Sequence, residues 1–163
     1  ALAAATQFRK PGSFTPVGDL LGGGPFELPR GAWSDDTAMA LCVADSLLER
    51  GEFDPVDQIE RFIRWQREGY LSATGQCVGI TGGVTRALGT AGWRRQRFPG
   101  SHDPAQLDPE VLTRVAPVVL HYFNEPGAAI ERAADAARTT CQAPLVLDAC
   151  RVLATAQIGR AHV

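Results

Sequence analysis

The chain has 163 residues, enough for one domain, and hydrophobic residues make up 45% of it, enough for a buried core. Sixteen Lys and Arg stand against 18 Asp and Glu, a net charge of −2, so neither nucleic acid nor an anionic membrane has an electrostatic reason to bind. No apolar run reaches the roughly 20 residues of a membrane span. The four cysteines show no Cys-x-x-Cys spacing and read as buried thiols of a protein in a reducing cytoplasm.

In chain order, Ala1 to Phe8 reads as the end of a helix and Arg9 to Gly31 as a surface arm rich in Gly and Pro. Its centre, Gly22-Gly23-Gly24-Pro25, has no Gly-Lys-Ser/Thr after it and no strand before it, so it is a structural loop and not a phosphate cradle. Ser34-Asp35-Asp36 then open a long amphipathic helix through Leu41, Val43, Ala44, Leu47 and Leu48, with Gly51 as its stop. The three oxygen-bearing side chains have two uses. They can cap free N–H groups and answer the helix dipole, or they can point outward and hold a hard cation such as Mg²⁺.

A second helix is predicted from Pro55 to Glu68, capped by Asp54 and ended by Gly69. Val56, Ile59, Phe62 and Ile63 face its core, Glu60, Arg61, Arg64 and Arg67 face water, and Trp65 packs. Cys77 has no neighbour that would lower its pKa and reads as a packed thiol. Gly89 to Asp108 is irregular, and the four arginines between Arg86 and Arg97 lie on a solvated loop. Ser101-His102-Asp103 holds the residue types of a hydrolytic triad, but adjacent residues cannot line up as one. Asp108-Pro109 caps a third helix from Glu110 to about Phe123, which Pro117 kinks or restarts. His121 reads as a half-exposed helix residue, since no second His stands near it.

Pro126 to Arg138 and Pro144 to about Thr155 read as two more helices, and Asp148 on the last is a solvated carboxylate. Residues 158–163 abandon the helical pattern and are expected to be a non-native tail behind a helical domain of residues 1–157. With no alternating strand pattern, the fold class is all-α, an orthogonal multi-helix bundle.

Trp33-Ser34-Asp35-Asp36-Thr37-Ala38-Met39 resembles the Trp-Thr-Asp-Asp-Thr-x-Met segment of the ADP-ribosylglycohydrolase family. Pro25 to Gly31, Trp65 to Gly69, Ser72 to Gly75, Val115 to Val118, and Arg138-Thr139-Thr140 followed by Asp148 resemble further landmarks in the same order. The resemblance implies a hydrolase that removes ADP-ribose from modified side chains of the ADP-ribosyl-arginine type. Its partner would be an ADP-ribosylated protein or an ADP-ribose-type small molecule. The resemblance also implies Mg²⁺, two ions in the family, with Ser34, Asp35 and Asp36 as metal ligands and Asp35 and Asp36 as catalytic carboxylates. Thr74, Gly75 and Gly79 would lie on the substrate side.

Several positions depart from that pattern. Gln7 stands where the family has Glu, Gly79 where it has Asp, and Cys141 where it has His. Leu107 to Thr113 lacks the Gly-Asn-Gly loop, and no Asp-x-Asp-Thr/Ser segment supplies the remaining metal ligands. These losses predict an impaired enzyme; the alternative is a non-catalytic helical domain that binds a nucleotide or a partner protein.

Overall fold

The computed structural model describes residues 2–94 and 96–161. Ala1 of the expected first helix, Arg95 of the basic run and His162-Val163 of the expected tail lie outside the described residues. The order is a 3₁₀ helix (Leu2–Thr6), α1 (Asp35–Arg50), α2 (Pro55–Glu68), α3 (Gly82–Arg94), a second 3₁₀ helix (Pro109–Arg114), α4 (Val115–His121), α5 (Pro126–Arg138) and α6 (Pro144–Ala161). Among the described residues the only extended pairings are isolated bridges, Gly23 to Leu28 and Ser101 to Cys141, so the fold is all-α.

Helix α2 shows how the sequence fixes an element. Asp54 accepts hydrogen bonds from the backbone N–H of Val56 at 3.0 Å and of Asp57 at 3.2 Å, Pro55 starts the helix and Gly69 ends it. Burial of Ile59, Phe62 and Trp65 contributes roughly 1.5–3 kcal/mol per side chain. One assignment is corrected. Arg61 is not on the wet face: it pairs with Asp57 at 2.6 Å and with Asp45, which also accepts from the Tyr70 hydroxyl. Asp57 in turn pairs with Arg50 at 3.0 Å, so this network ties α1 to α2.

The sequence pattern does not predict helix α3, and Arg86 sits on it instead of on a loop. Gly82, Gly83, Gly89 and Gly92 dilute its helix propensity, each by roughly 1 kcal/mol against Ala. Val84, Ala87, Leu88 and Ala91 nevertheless recur at i, i+3, i+4 and i+7 and are all buried, so packing outweighs propensity. Thr81 caps the helix, accepting from the Val84 N–H at 3.3 Å.

The predicted third helix is two pieces, a 3₁₀ turn and α4, with Asp108 making no side-chain cap bond. Pro117 falls in the first turn of α4, where its missing N–H costs nothing. The last helix also runs further than predicted. It continues to Ala161, and Ile158 is buried as a member of the apolar cluster around α5 and α6, so the helical pattern does not break at residue 158.

Two main apolar clusters result. One joins α1, α2 and α3 through Met39, Val43, Leu47, Phe62, Trp65 and Leu88. The other joins the second 3₁₀ helix, α4, α5 and α6 through Val111, Val119, Ala133, Ala137, Cys150 and Ala154. The beginning of α1 lies against the second 3₁₀ helix, where the two groups meet. All four cysteines are free thiols; Cys42, Cys141 and Cys150 are buried and Cys77 is half-buried. Among the described residues no helix is long and apolar enough to cross a membrane.

Candidate active site

Of the two readings left open for Ser34, the helix cap fails at the side chain. Its backbone carbonyl accepts from the Ala38 N–H at 3.1 Å, but its hydroxyl makes no cap bond and turns to the Asp35 carboxylate. The nearby backbone N–H groups of Asp36 and of Asp35 itself also favour the charged form of that carboxylate. Burial and the neighbouring Asp36 charge still push the Asp35 carboxyl above its ordinary pKa. Asp36 is exposed, and partial desolvation raises its pKa as well, with Asp108 adding to it; Thr113 and Arg114 hold it back. Neither carboxylate enters any ion pair of the described residues.

Gly79 reaches this pair and Thr74 does not. A Cβ on Gly79 would stand 2.5 Å from Asp35 Oδ1, and the residue has φ +84°. The Asp35 carboxylate thus lies over the bare Cα of Gly79, in space that a larger residue would claim. Thr74 and Gly75 are exposed, and the Thr74 hydroxyl is engaged by the Gln76 carbonyl and the Ser72 hydroxyl of its own turn. The loop is pinned to the start of α1 by Trp33, whose Nε1 donates to the Leu71 carbonyl at 3.1 Å. Cys77 beside Asp35 has its thiol pKa raised by burial and by that carboxylate, which suits a packed thiol and not a nucleophile.

Sequence reasoning missed the other side of the site. The second 3₁₀ helix brings Asp108, Glu110, Thr113 and Arg114 toward the start of α1. Thr113 Oγ donates to the Glu110 carbonyl at 2.7 Å and lies within hydrogen-bonding reach of Asp36. Asp108 Oδ2 and Glu110 Oε2 are sealed from solvent with no donor. Two such oxygens satisfy each other only by sharing a proton. Accordingly burial, the Asp108 hydrogen bond and the Asp108 and Asp35 charges push Glu110 up to about 8, against the pull of Thr81. The available signal is Asp108-Pro109-Glu110 itself, two carboxyls one residue apart, which in the sequence reads as a cap.

A cavity of ≈ 470 Å³ opens beside these groups, walled by Thr81, Arg86, Asp108, Glu110, Thr140 and Cys141 among others. Ser34, Asp35 and Asp36 do not line it. Cys141, in the family's His position, is buried and donates to the Gln106 carbonyl at 3.5 Å. Ser101 and His102 bond elsewhere, Ser101 Oγ to the Asp103 N–H and His102 to Gln142, so they form no triad. His121 is exposed, with Nε2 3.3 Å from the Gly51 carbonyl. Asp148 is exposed and pairs with Arg151.

The fit to magnesium is partial. Ser34, Asp35 and Asp36 offer a hydroxyl and two carboxylates, the oxygen donors that Mg²⁺ takes. Among the described residues, however, no three His, Cys, Asp or Glu side chains converge as a ligand group.

Glu110 gives the site a pH signature. Its pKa is raised on folding from 4.5 to about 8, so the folded state keeps a proton that the unfolded chain releases. That contribution is complete below about pH 4.5, declines as pH rises, and is gone above about pH 8. Because Glu110 is partly exposed, the loss is expected to be about 1–2 kcal/mol, well short of the full shift. In Glu110→Gln an amide N–H can donate to Asp108 at any pH, so urea denaturation from pH 5 to pH 8 is expected to show a flatter profile than the parent. An unchanged profile would count against the shared proton.

Residues 1–160 match the family model for ADP-ribosylglycohydrolase. The ADP-ribosylarginine hydrolase Tri1 of Pseudomonas putida (strain GB-1) is 34% identical over 140 residues, which is 85% of this chain and 37% of that protein. Tri1 of Serratia proteamaculans (strain 568) is 37% identical over 101 residues, 62% of this chain and 28% of that protein. A solved structure described as an ADP-ribosylglycohydrolase-related protein complex superposes with a TM-score of 0.81 at 42% identity, covering 94% of this chain and 49% of that one. The chain thus spans about half the length of the solved relative and less of the curated ones.

Proposed function

Because the chain belongs to the ADP-ribosylglycohydrolase family, we propose that it carries one side of a site for hydrolysing the bond between ADP-ribose and a modified side chain, arginine by analogy with the Tri1 proteins. The supporting observation is the Asp35–Asp36 pair, a half-buried and an exposed carboxylate side by side, neither of them in an ion pair of the described residues. Departure of a group from C1′ leaves an oxocarbenium-like carbon, and carboxylates set against it lower that barrier. Asp35 and Asp36 are the groups assigned that role in this reading. Gly79 offers the ribose no side-chain acceptor, and Gln7 keeps the shape of a Glu without its charge.

The same observations limit the chain by itself. Ser34, Asp35 and Asp36 would supply part of a Mg²⁺ shell that water and substrate complete; with the Glu, Asp and His of the family pattern replaced by Gln7, Gly79 and Cys141, the chain is expected to bind ADP-ribose with Mg²⁺ present but not to turn over an ADP-ribosylated arginine peptide. The assay is release of ADP-ribose from such a peptide, and no rate above the enzyme-free control is expected. A rate that disappears in Asp35→Asn would overturn the impairment and establish a working hydrolase. A rise in Tm with ADP-ribose that is indifferent to Mg²⁺ would favour a nucleotide-binding module instead.

A further inference from the structure

One wall of the ≈ 470 Å³ cavity is a segment without regular structure. Ser101, Ala105, Gln106 and Leu107 line the cavity from this side, and every residue from His102 to Leu107 is exposed. Both ends of the segment are fixed. At the near end the Gly100 N–H donates to the Arg138 carbonyl at 3.2 Å, and the Ser101 carbonyl accepts from the Gln142 N–H at 2.9 Å. A Cβ on Gly100 would stand 2.4 Å from the Cys141 nitrogen, so backbone lies directly on backbone there. The Gln142 side-chain amide adds two bonds, to the carbonyls of Phe98 and Gly100, each at 2.9 Å. At the far end Asp108 leads into the second 3₁₀ helix, whose Val111 is buried.

Between these ends the segment folds mainly on itself. The Asp103 N–H donates to Ser101 Oγ at 3.2 Å, the Ala105 N–H to Asp103 Oδ1 at 2.9 Å, and the Gln106 N–H to the Asp103 carbonyl at 3.0 Å. Among the described residues, two side-chain contacts tie it to the corner between α5 and α6, and both are weak. Cys141 Sγ donates to the Gln106 carbonyl at 3.5 Å, and a thiol is a poor donor. His102 Nε2 lies 3.1 Å from Gln142 Nε2. That amide has only two hydrogens, however, and the two carbonyls already hold them at shorter range. A segment with little buried apolar surface and weak ties opens while the rest of the fold stays shut.

We propose that residues 102–107 are a hinged flap on this cavity, latched by Cys141 and Gln142, and that it turns about Ser101 and Asp108 to admit or release what the cavity holds. The flap does not depend on ADP-ribose being that occupant. Cys141 is its reporter, because it lines the cavity at 2% exposure and comes free when Gln106 lifts. Iodoacetamide labelling of the native chain, followed thiol by thiol by peptide mass spectrometry, compares it with Cys42 and Cys150, each 0% exposed in the two helical cores. In the parent, Cys141 is expected to be labelled at least about tenfold faster than either, and with weaker urea dependence, since opening a flap exposes little surface. His102→Ala removes one latch at an exposed residue. It is expected to raise the Cys141 rate by about threefold or more, leaving Tm and the Cys42 and Cys150 rates unchanged. Gln142→Ala is expected to raise the ratio of Cys141 to Cys150 labelling further. Labelling of Cys141 no faster than that of Cys42 and Cys150 in the parent overturns the flap, since global unfolding would then be what uncovers it. A Cys141 rate indifferent to both substitutions, or one that rises only in step with Cys150, overturns it as well.

Discussion

Gly79→Asp, which puts back the residue that the family carries at this position, is expected to destabilise the chain by about 2–4 kcal/mol at pH 7. Three costs add. A non-glycine residue at φ +84° carries a backbone penalty of roughly 1–2 kcal/mol. The new Cβ meets Asp35 Oδ1 at 2.5 Å, so Asp35 must leave the rotamer in which Ser34 and two backbone N–H groups hold it. The new carboxylate also joins Asp35 and Asp36, which already repel one another. Gly79→Ala carries the first two costs without the third. Urea denaturation of both variants should therefore show a gap between them at pH 7 that closes near pH 3–4, where carboxylates are protonated. A Gly79→Asp protein as stable as its parent would mean that Asp35 swings aside freely, and the site could then be rebuilt by that single change.

The physical reason some of this was legible and some was not is visible in particular residues. Helices α1, α2 and α5 could be read because local and global signals agree there. In α2, for example, cap, Pro, periodic core residues and terminal Gly all point to the same boundaries. Helix α3 could not, because its four glycines oppose helix locally and only burial of Val84, Leu88 and Ala91 settles the matter. Asp35 and Asp36 were legible as a contiguous motif. Their partners were hidden because Asp108, Glu110 and Arg114 join them only through the meeting of a 3₁₀ turn with α1. Charged residues on a helical pattern are assigned to water by default, which fails for Arg61 as it does for Arg114. Arg61 is held by Asp57 of its own helix and Asp45 of α1, and Arg114 by the Thr140 hydroxyl from another element.

Arg114→Met is expected to cost about 2–4 kcal/mol at pH 7 and clearly less at pH 4. Two effects oppose each other. Methionine fills much of the volume against Phe62 and ends the desolvation that already lowers the pKa of the buried guanidinium, which favours the variant. Against that, removing one partner leaves the others uncompensated, and this loss usually outweighs the relief of desolvation. Glu110 bears little of that loss, since its pKa of about 8 keeps it mostly protonated at neutral pH. Most of it falls on the Thr140 hydroxyl, which loses its donor; the rest falls on Asp36, an exposed carboxylate for which Arg114 is a restraining charge screened by water. As pH falls and Asp36 takes up a proton, the need for the cation fades, which gives the predicted difference between pH 7 and pH 4 its sign. A double-mutant cycle with Asp36→Asn locates the effect. A coupling of about 1 kcal/mol or more at pH 7 is expected, whereas additive losses would show that Arg114 serves the packing around Phe62 and not the acidic start of α1.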